Sequence, residues 1–308
     1  MDWASRGWSC SVDLLTDSTA FWRVRPLVKR FRVLPVDFDT RAGALNLIPD
    51  GWEEETKQLH RLNQTQTLQG LQEEFGIRKF DEKLKNFREL GNKPFSVITF
   101  HNKFFAQARS AFVHGQYYPA LTAVTSLGER VLNNLVLRLR NHYKKSKSYK
   151  SIYRKKSSGN WKSMIDALAE WRVLTPEAEK NFRILSQRRN DALHFNPDTE
   201  YNDRALALEA LSTFGRIIKA QFASIGDLPW LFMANGEVYI RKSCEADPFV
   251  RLVYLPNSKH LGYKHEVITV LPWRFEDSEP YAERDISDEE FAQLRASFIS
   301  KLTTGSSG

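Results

Sequence analysis

Apolar residues recur every three or four positions through successive stretches of residues 94–225. In an α-helix that spacing lines one face, which must be buried against something. Val97, Phe104, Phe105, Ala108 and Phe112 share a face over residues 95–113, ahead of a stop at Gly115. Leu121, Val124, Leu127, Val131, Leu132, Leu135 and Leu139 form the longest stripe, over residues 119–142. Pro119 sits in its first turn, where a missing N–H is harmless. Trp161, Ile165 and Leu168 mark a shorter helix at 160–171. Thr175 is a good N-cap with Pro176 just inside, and opens a helix that runs to His194. Leu211, Phe214, Ile218, Phe222 and Ile225 mark another at 201–225. Short connections between such stripes make neighbours antiparallel, so residues 93–226 read as a helical bundle.

The flanks have other periods. Residues 1–92 form an N-terminal region, helical in its second half. One helix is expected from an Asp50 cap through Leu59, Leu62, Leu68, Leu71 and Phe75 to Gly76, and another over 78–90 ending at Gly91. Pro26 and Pro35 limit regular structure before them. After the bundle, Asn235-Gly236 between Leu231–Ala234 and Glu237–Arg241 signals a tight hairpin, because both residues tolerate positive φ. Further strands are expected at 249–255 and 264–271. Ser287 and Glu290 form a capping box for a closing helix at 288–302. Residues 303–308 read as a flexible tail. The expected fold class is therefore mainly α: an antiparallel bundle over 93–226, then a small antiparallel β-sheet plus helix over 227–302.

Several classes of function are set aside. The two cysteines, Cys10 and Cys244, are far apart and fit no zinc-ligand spacing, and a reducing cytoplasm suits them. No apolar run is long enough to span a membrane, and the acidic and basic residues Asp2, Arg6 and Asp13 interrupt any secretory signal. Gly-rich phosphate loops, nucleophile elbows and zinc-peptidase helices are all missing from the sequence. Asp50 and Glu55-Thr56-Lys57 lie too close together for a metal-dependent nuclease pair. No cofactor and no metal are implied. His60, His101, His114, His142, His260 and His265 are scattered, and surface or core roles are expected for them.

The charge balance points toward a polyanion. The net charge is +8, and no Asp or Glu occurs between Arg130 and Ile165. Within that span Lys144, Lys145, Lys147, Lys150, Arg154, Lys155 and Lys156 alternate with Tyr149 and Tyr153. Cations neutralise phosphates and aromatic rings stack on unpaired bases, so this segment is the expected RNA contact, on a mobile loop. The bland reading is a solvated charged loop. The acidic stretch 276–290 reads as a solvated surface, or as a mask over the basic loop.

The residues that carry chemistry are Arg189, Asn190 and His194. On a helical wheel with Phe182 at zero, Leu185 and Ala178 fall at about 300° and 320°, and Arg189 at about 340°, within the apolar face. A charge there needs a carboxylate, a route to solvent, or a polar cleft. Glu129 is the candidate carboxylate. A cleft that takes phosphate also satisfies an arginine, because guanidinium matches phosphate oxygens in a fork. Arginine plus histidine is also what RNA cleavage through the 2′-hydroxyl requires. The arginine stabilises charge at phosphorus, and the histidine takes or gives the proton.

At these residues the chain resembles the HEPN family, whose pattern is Arg, four to six residues, then His, often with a polar residue directly after the Arg. The segment from Ala111 to Leu135, with Gly115-Gln116-Tyr117-Tyr118-Pro119-Ala120-Leu121 and Glu129, is similar to that family's first two helices and their short turn. The likeness spans about residues 94–222. It implies a metal-independent endoribonuclease with Arg189 on the phosphate, His194 as general acid or base, and Asn190 positioning one of them. It also implies a homodimer with a shared cleft, a toxin or antiviral (abortive-infection-type) role, and a regulatory partner protein or ligand for the flanking regions. Non-catalytic RNA-binding or partner-binding HEPN modules exist as well, and that is the alternative carried forward.

Overall fold

Apolar stripes become discrete helices where a cap, a proline or a positive-φ residue bounds them, and this chain supplies such bounds repeatedly. The computed structural model describes residues 27–34, 37–98, 100–154, 156–193, 197–270 and 272–305. Cys10, Lys155, His194 and residues 306–308 lie outside them.

One compact unit comprises residues 36–223. It contains α1 (Arg41–Ala44), α2 (Glu54–Phe75), α3 (Phe80–Leu90), α4 (Phe100–Val113), α5 (Tyr117–Leu139), α6 (Tyr149–Ile152), α7 (Trp161–Glu170), α8 (Pro176–Leu193) and α9 (Pro197–Ile217). A π-helical turn at 218–222 follows α9. Gly76 and Gly91 end α2 and α3 at φ of 74° and 64°, as expected of helix-stop glycines. The start of α2 differs from expectation. Residues 49–52 form a turn in which Trp52 N donates to the Pro49 carbonyl (3.3 Å), so the helix begins after Glu53 and not at Asp50.

Helix α5 is the axis of this unit. It packs against α4, α7, α8 and α9, and its stripe from Ala120 to Leu139 is buried. Gly128 on α5 makes the closest approach possible. A Cβ there would lie 2.6 Å from the Trp161 ring and 2.7 Å from Leu185. The missing side chain lets α7 and α8 close onto α5. Helix α8 starts as its sequence dictates, with Ala178 N donating to Thr175 Oγ1 (3.2 Å).

The expected boundary near residue 92 falls inside this unit. Asn86 on α3 is buried and donates to the carbonyls of Phe112 and Val113 at the end of α4. Asp39 and Lys93 exchange backbone hydrogen bonds of 3.2 and 2.8 Å. Residues 36–92 therefore belong with the helical unit and not to a separate N-terminal region.

The other unit joins residues up to 35 with residues 224–308. Its four-stranded antiparallel sheet contains β1 (Arg30–Val33), β2 (Leu231–Ala234), β3 (Glu237–Ile240) and β4 (Ser258–Leu261), in the order β2-β3-β1-β4. A second antiparallel pair is β5 (His265–Val270) with β6 (Trp273–Asp277). The β2–β3 hairpin turns at Asn235 and Gly236 with φ of 51° and 78°, as the sequence predicts. A mainly helical chain with a small C-terminal antiparallel sheet and a closing helix is what the sequence led us to expect.

Three local expectations are corrected. Residues expected as a strand at 249–255 form helix α10 (Pro248–Val253), because the Asp247 carboxylate accepts from the backbone N–H of Phe249 (2.8 Å) and Val250 (3.0 Å) with Pro248 in the first turn. The short run between Pro26 and Pro35 is β1, paired with β3 and β4 more than two hundred positions away. Helix α11 (Asp288–Gly305) opens on the expected Ser287 cap, with Glu290 N donating to Ser287 Oγ (3.1 Å). It continues through Thr303, so the tail expected from 303 is helical to 305.

A charged cluster sits in the core of this smaller unit. Glu237 accepts two hydrogen bonds from the buried Arg295 (2.9 and 2.8 Å), pairs with Arg32 (3.0 Å) and accepts from the Tyr239 hydroxyl. Burial alone would raise the Glu237 carboxyl. Hydrogen bonds from His265, Arg295 and Tyr239, with the charge of Arg32, outweigh burial and hold it far below the usual carboxylate range.

Candidate active-site cleft

Helix α8 carries Arg189 toward α5 and α7, whose sequences supply very different neighbours. The Arg189 side chain is about a quarter exposed. It lies between two hollows. One, of about 600 Å³, is lined by His101 from α4, by Glu129, Arg130, Asn133 and Asn134 from α5, and by Ser157. The other, of about 380 Å³, is lined by Gly159, Asn160, Trp161, Lys162, Ser186 and Asn190. Arg189 lines both.

The guanidinium is poorly satisfied for its degree of burial. Nη2 lies 3.6 Å from Glu129 Oε2, beyond good hydrogen-bond range. Nη1 donates to Asn190 Oδ1 at 3.4 Å, a weak bond. Nε is buried and finds no partner among the described residues. Glu129 is itself shared, because the Trp161 indole N–H donates to the same Oε2 at 3.0 Å. The carboxylate expected beside Arg189 is there, but as a loose ion pair at the mouth of a cleft and not as a closed core pair. A half-buried arginine with unused donors is a site prepared for oxygen atoms from elsewhere.

His101, one of the scattered histidines for which mostly surface or core roles were expected, stands in the wall of the larger hollow. It stands in the first turn of α4, with Nδ1 3.3 Å from the Ile98 carbonyl oxygen. A carbonyl only accepts, so Nδ1 is the donor in this contact. Burial, reinforced by the Arg130 charge, lowers its pKa from the ordinary imidazole value, and the Ile98 contact only partly offsets this. Arg130 is exposed and lies over the Phe104 ring at 5.0 Å. Only the antiparallel packing of α4 on α5 brings residue 101 beside residues 129–134; no motif could have announced it.

The described residues of the basic segment, expected as a loop, make ring and hydrogen-bond contacts with the bundle. Tyr143 stacks on Trp171 at 4.8 Å, and the Trp171 indole N–H donates to Ser146 Oγ (2.8 Å). The Glu170 carboxylate accepts from the backbone N–H of Lys147 (2.8 Å) and Ser148 (3.1 Å) and from the Ser148 hydroxyl. Ile152 is buried, and its carbonyl accepts from Arg140 (2.9 Å). The far end is tied to α5 by paired bonds between Asn133 and the Ser158 backbone (2.8 and 3.0 Å). What stays exposed is the charge: Lys144, Lys145, Lys147, Lys150, Arg154 and Lys156. Tyr149 and Tyr153 lie 5.5 Å apart, and Arg154 covers Tyr153 at 5.0 Å. The segment leads into the cleft, since Ser157 lines one hollow and Gly159 to Lys162 line the other.

Among the described residues no group of three His, Cys, Asp or Glu side chains could hold a metal ion. No helix among them is long and apolar enough to cross a membrane. The acidic stretch 276–290 has basic partners inside its own unit: Glu276 pairs with Arg274, Asp277 with Lys29, Glu279 with Lys264, and Asp285 with Lys242.

The chain was compared with known proteins in three ways. It matches no protein-family model, no curated protein and no solved structure. Function is therefore read from the chemistry of this cleft.

Proposed function

We propose that this chain is an endoribonuclease of HEPN type, cutting RNA by attack of a 2′-hydroxyl on the neighbouring phosphorus. The observation that carries the reading is Arg189: a mostly buried guanidinium with unused donors, between two hollows, at the end of a basic and aromatic segment. In this reading a phosphate oxygen takes the Arg189 donors, and one nucleotide lies in each hollow. The guanidinium meets the charge that grows on the phosphoryl oxygens. His194, the residue directly after α8, gives or takes a proton. Asn190 holds the Arg189 fork through its side-chain oxygen. Tyr149, Tyr153 and the exposed lysines guide single-stranded RNA toward the cleft. A homodimer with a shared cleft, and a toxin or antiviral role under the control of a regulatory partner, extend the same likeness to the HEPN family.

A second reading is favoured by one observation. Glu129 places a carboxylate beside Arg189, where it competes with phosphate. A module that binds RNA or a partner without cutting would tolerate this better than an enzyme. The test is digestion of total RNA by the purified protein in excess EDTA, beside Arg189→Gln and His194→Ala. Fragments with 5′-hydroxyl and cyclic-phosphate ends, lost in both variants, are expected. Intact RNA with the folded wild type, together with retained RNA binding, would leave the module reading in place.

A further inference from the structure

Helix α4 carries a second arginine on an apolar stripe. With Phe105 at zero on a helical wheel, Ala108 and Phe112 fall at about 300° and 340°, and Arg109 at about 40°. Phe105, Ala108 and Phe112 are buried, and Arg109 is only 8% exposed. A charge so placed has to be met by something. Among the described residues Arg109 makes one hydrogen bond, from Nη2 to the Gly91 carbonyl (2.5 Å), and no ion pair. Its guanidinium lies over the Phe105 ring at 5.8 Å. Neither contact neutralises it. Burial lowers its pKa to about 10, and the charge of Asp39 offsets only part of that, so the group is still a cation at neutral pH.

The carboxylates nearby are already taken. Asp39 accepts from the Arg41 backbone N–H and Nε (3.0 Å each) and from Arg41 Nη2 (2.8 Å). Glu74 accepts from Arg41 Nη1 (2.6 Å), and Asp37 from Lys93 Nζ (2.5 Å). Arg109 instead lines a hollow of about 450 Å³, together with Arg41, Lys93, Asp39 and Glu74. Three cations and two carboxylates leave one positive charge unmatched. Rings supply much of the remaining wall. Phe75 and Phe87 are buried, while Phe38 is 47% exposed and braced by stacking on Phe95 at 4.3 Å. The hollow lies wholly within the helical unit and shares no lining residue with the Arg189 cleft.

We propose that this hollow binds a small organic monoanion, with its carboxylate on Arg109 and a flat apolar body against Phe38. A carboxylate offers two oxygens to the guanidinium fork and supplies the counter-charge that the fold withholds. The volume falls within the range of small-molecule pockets. Asp39 and Glu74 repel a second negative charge, which favours a carboxylate over a phosphate monoester. The site stands independently of the ribonuclease reading.

The test is calorimetric titration of the whole chain with three probes of one shape: 1-naphthoate, the neutral 1-naphthamide and the dianion 1-naphthyl phosphate. Naphthoate is expected to bind, and the amide and the phosphate at least about tenfold more weakly, the usual size of a charge-assisted contact. Arg109→Gln keeps a donor for the Gly91 carbonyl and should lose naphthoate binding by a similar factor. Ala106→Leu places bulk on the exposed rim of the hollow with a good helix former, and leaves every charged group in place. It should also weaken naphthoate at least about tenfold while its thermal midpoint without ligand stays that of wild type. Saturating naphthoate should raise the midpoint of wild type and of neither variant. No naphthoate binding up to about 1 mM overturns the proposal, as does equal affinity for the amide or wild-type affinity in Ala106→Leu. Tighter binding of the phosphate would overturn the monoanion assignment.

Discussion

Replacing Glu129 by Gln should weaken the fold and strengthen RNA binding at the same time. Glu129 Oε2 accepts from the Trp161 indole and stands 3.6 Å from Arg189 Nη2. A glutamine oxygen can still accept from the indole, so the substitution mainly removes a negative charge. Two unit charges 4 Å apart interact by about 4 kcal/mol at an effective dielectric constant near 20. Arg189 and Glu129 are 23% and 31% exposed, so solvent reduces the net value of the pair to about 1 kcal/mol or less. The thermal midpoint should therefore drop by only about 2–4 °C. A phosphate on Arg189 would lie roughly 6 Å from the Glu129 carboxylate, where repulsion is about 1–3 kcal/mol over plausible dielectric values. Removing that repulsion should tighten binding by about tenfold. The assay is fluorescence anisotropy with a 2′-deoxy oligonucleotide at fixed low salt, paired with thermal unfolding. A variant that loses stability and binds no more tightly than wild type would refute the idea that Glu129 and phosphate compete for Arg189.

Other expectations follow from the same structure. Gly128→Ala should lose about 1–3 kcal/mol by overpacking, because the new methyl meets Trp161 and Leu185 at 2.6 and 2.7 Å, and tryptophan fluorescence should shift as the ring moves; unchanged stability and fluorescence would contradict the close approach. Glu170→Ala should release the basic segment, read as faster amide exchange at Lys147 and Ser148 with bundle exchange unchanged. Glu237→Gln should lose about 3–5 kcal/mol at pH 7, since it leaves Arg295 and Arg32 buried without a counter-charge. The Glu237 carboxyl is lowered on folding, so its contribution is complete above the ordinary value of 4.5 and is lost as pH falls below it. The gap between wild type and Glu237→Gln in denaturant unfolding should therefore narrow below pH 4.5; a gap constant from pH 7 to pH 3 would speak against this charge network.

What was legible in the sequence was local. Helix spacing, the Thr175 and Ser287 caps, the glycine stops at 76 and 91, and the Asn235-Gly236 turn each depend on neighbours within a few positions, and the structure bears them out. The strand expected at 249–255 failed for a local reason that was also readable, since Asp247-Pro248 opens a helix more strongly than the apolar run favours a strand. Arg189 was identifiable because a charge on an apolar face is anomalous whatever the fold. The rest was decided by packing over long distances. Strand β1 has only four residues and is specified by partners near both 239 and 260. Helix α3 joined the bundle where Asn86 found backbone partners at the end of α4, and Asp39, ahead of α1, paired with Lys93. The basic segment was held by Glu170 and Trp171, which lie beyond its own charge pattern. His101 entered the cleft only when α4 turned back along α5. Periodicity and caps report a residue's neighbours along the chain, whereas a cleft is built from side chains that meet only after helices have chosen their partners.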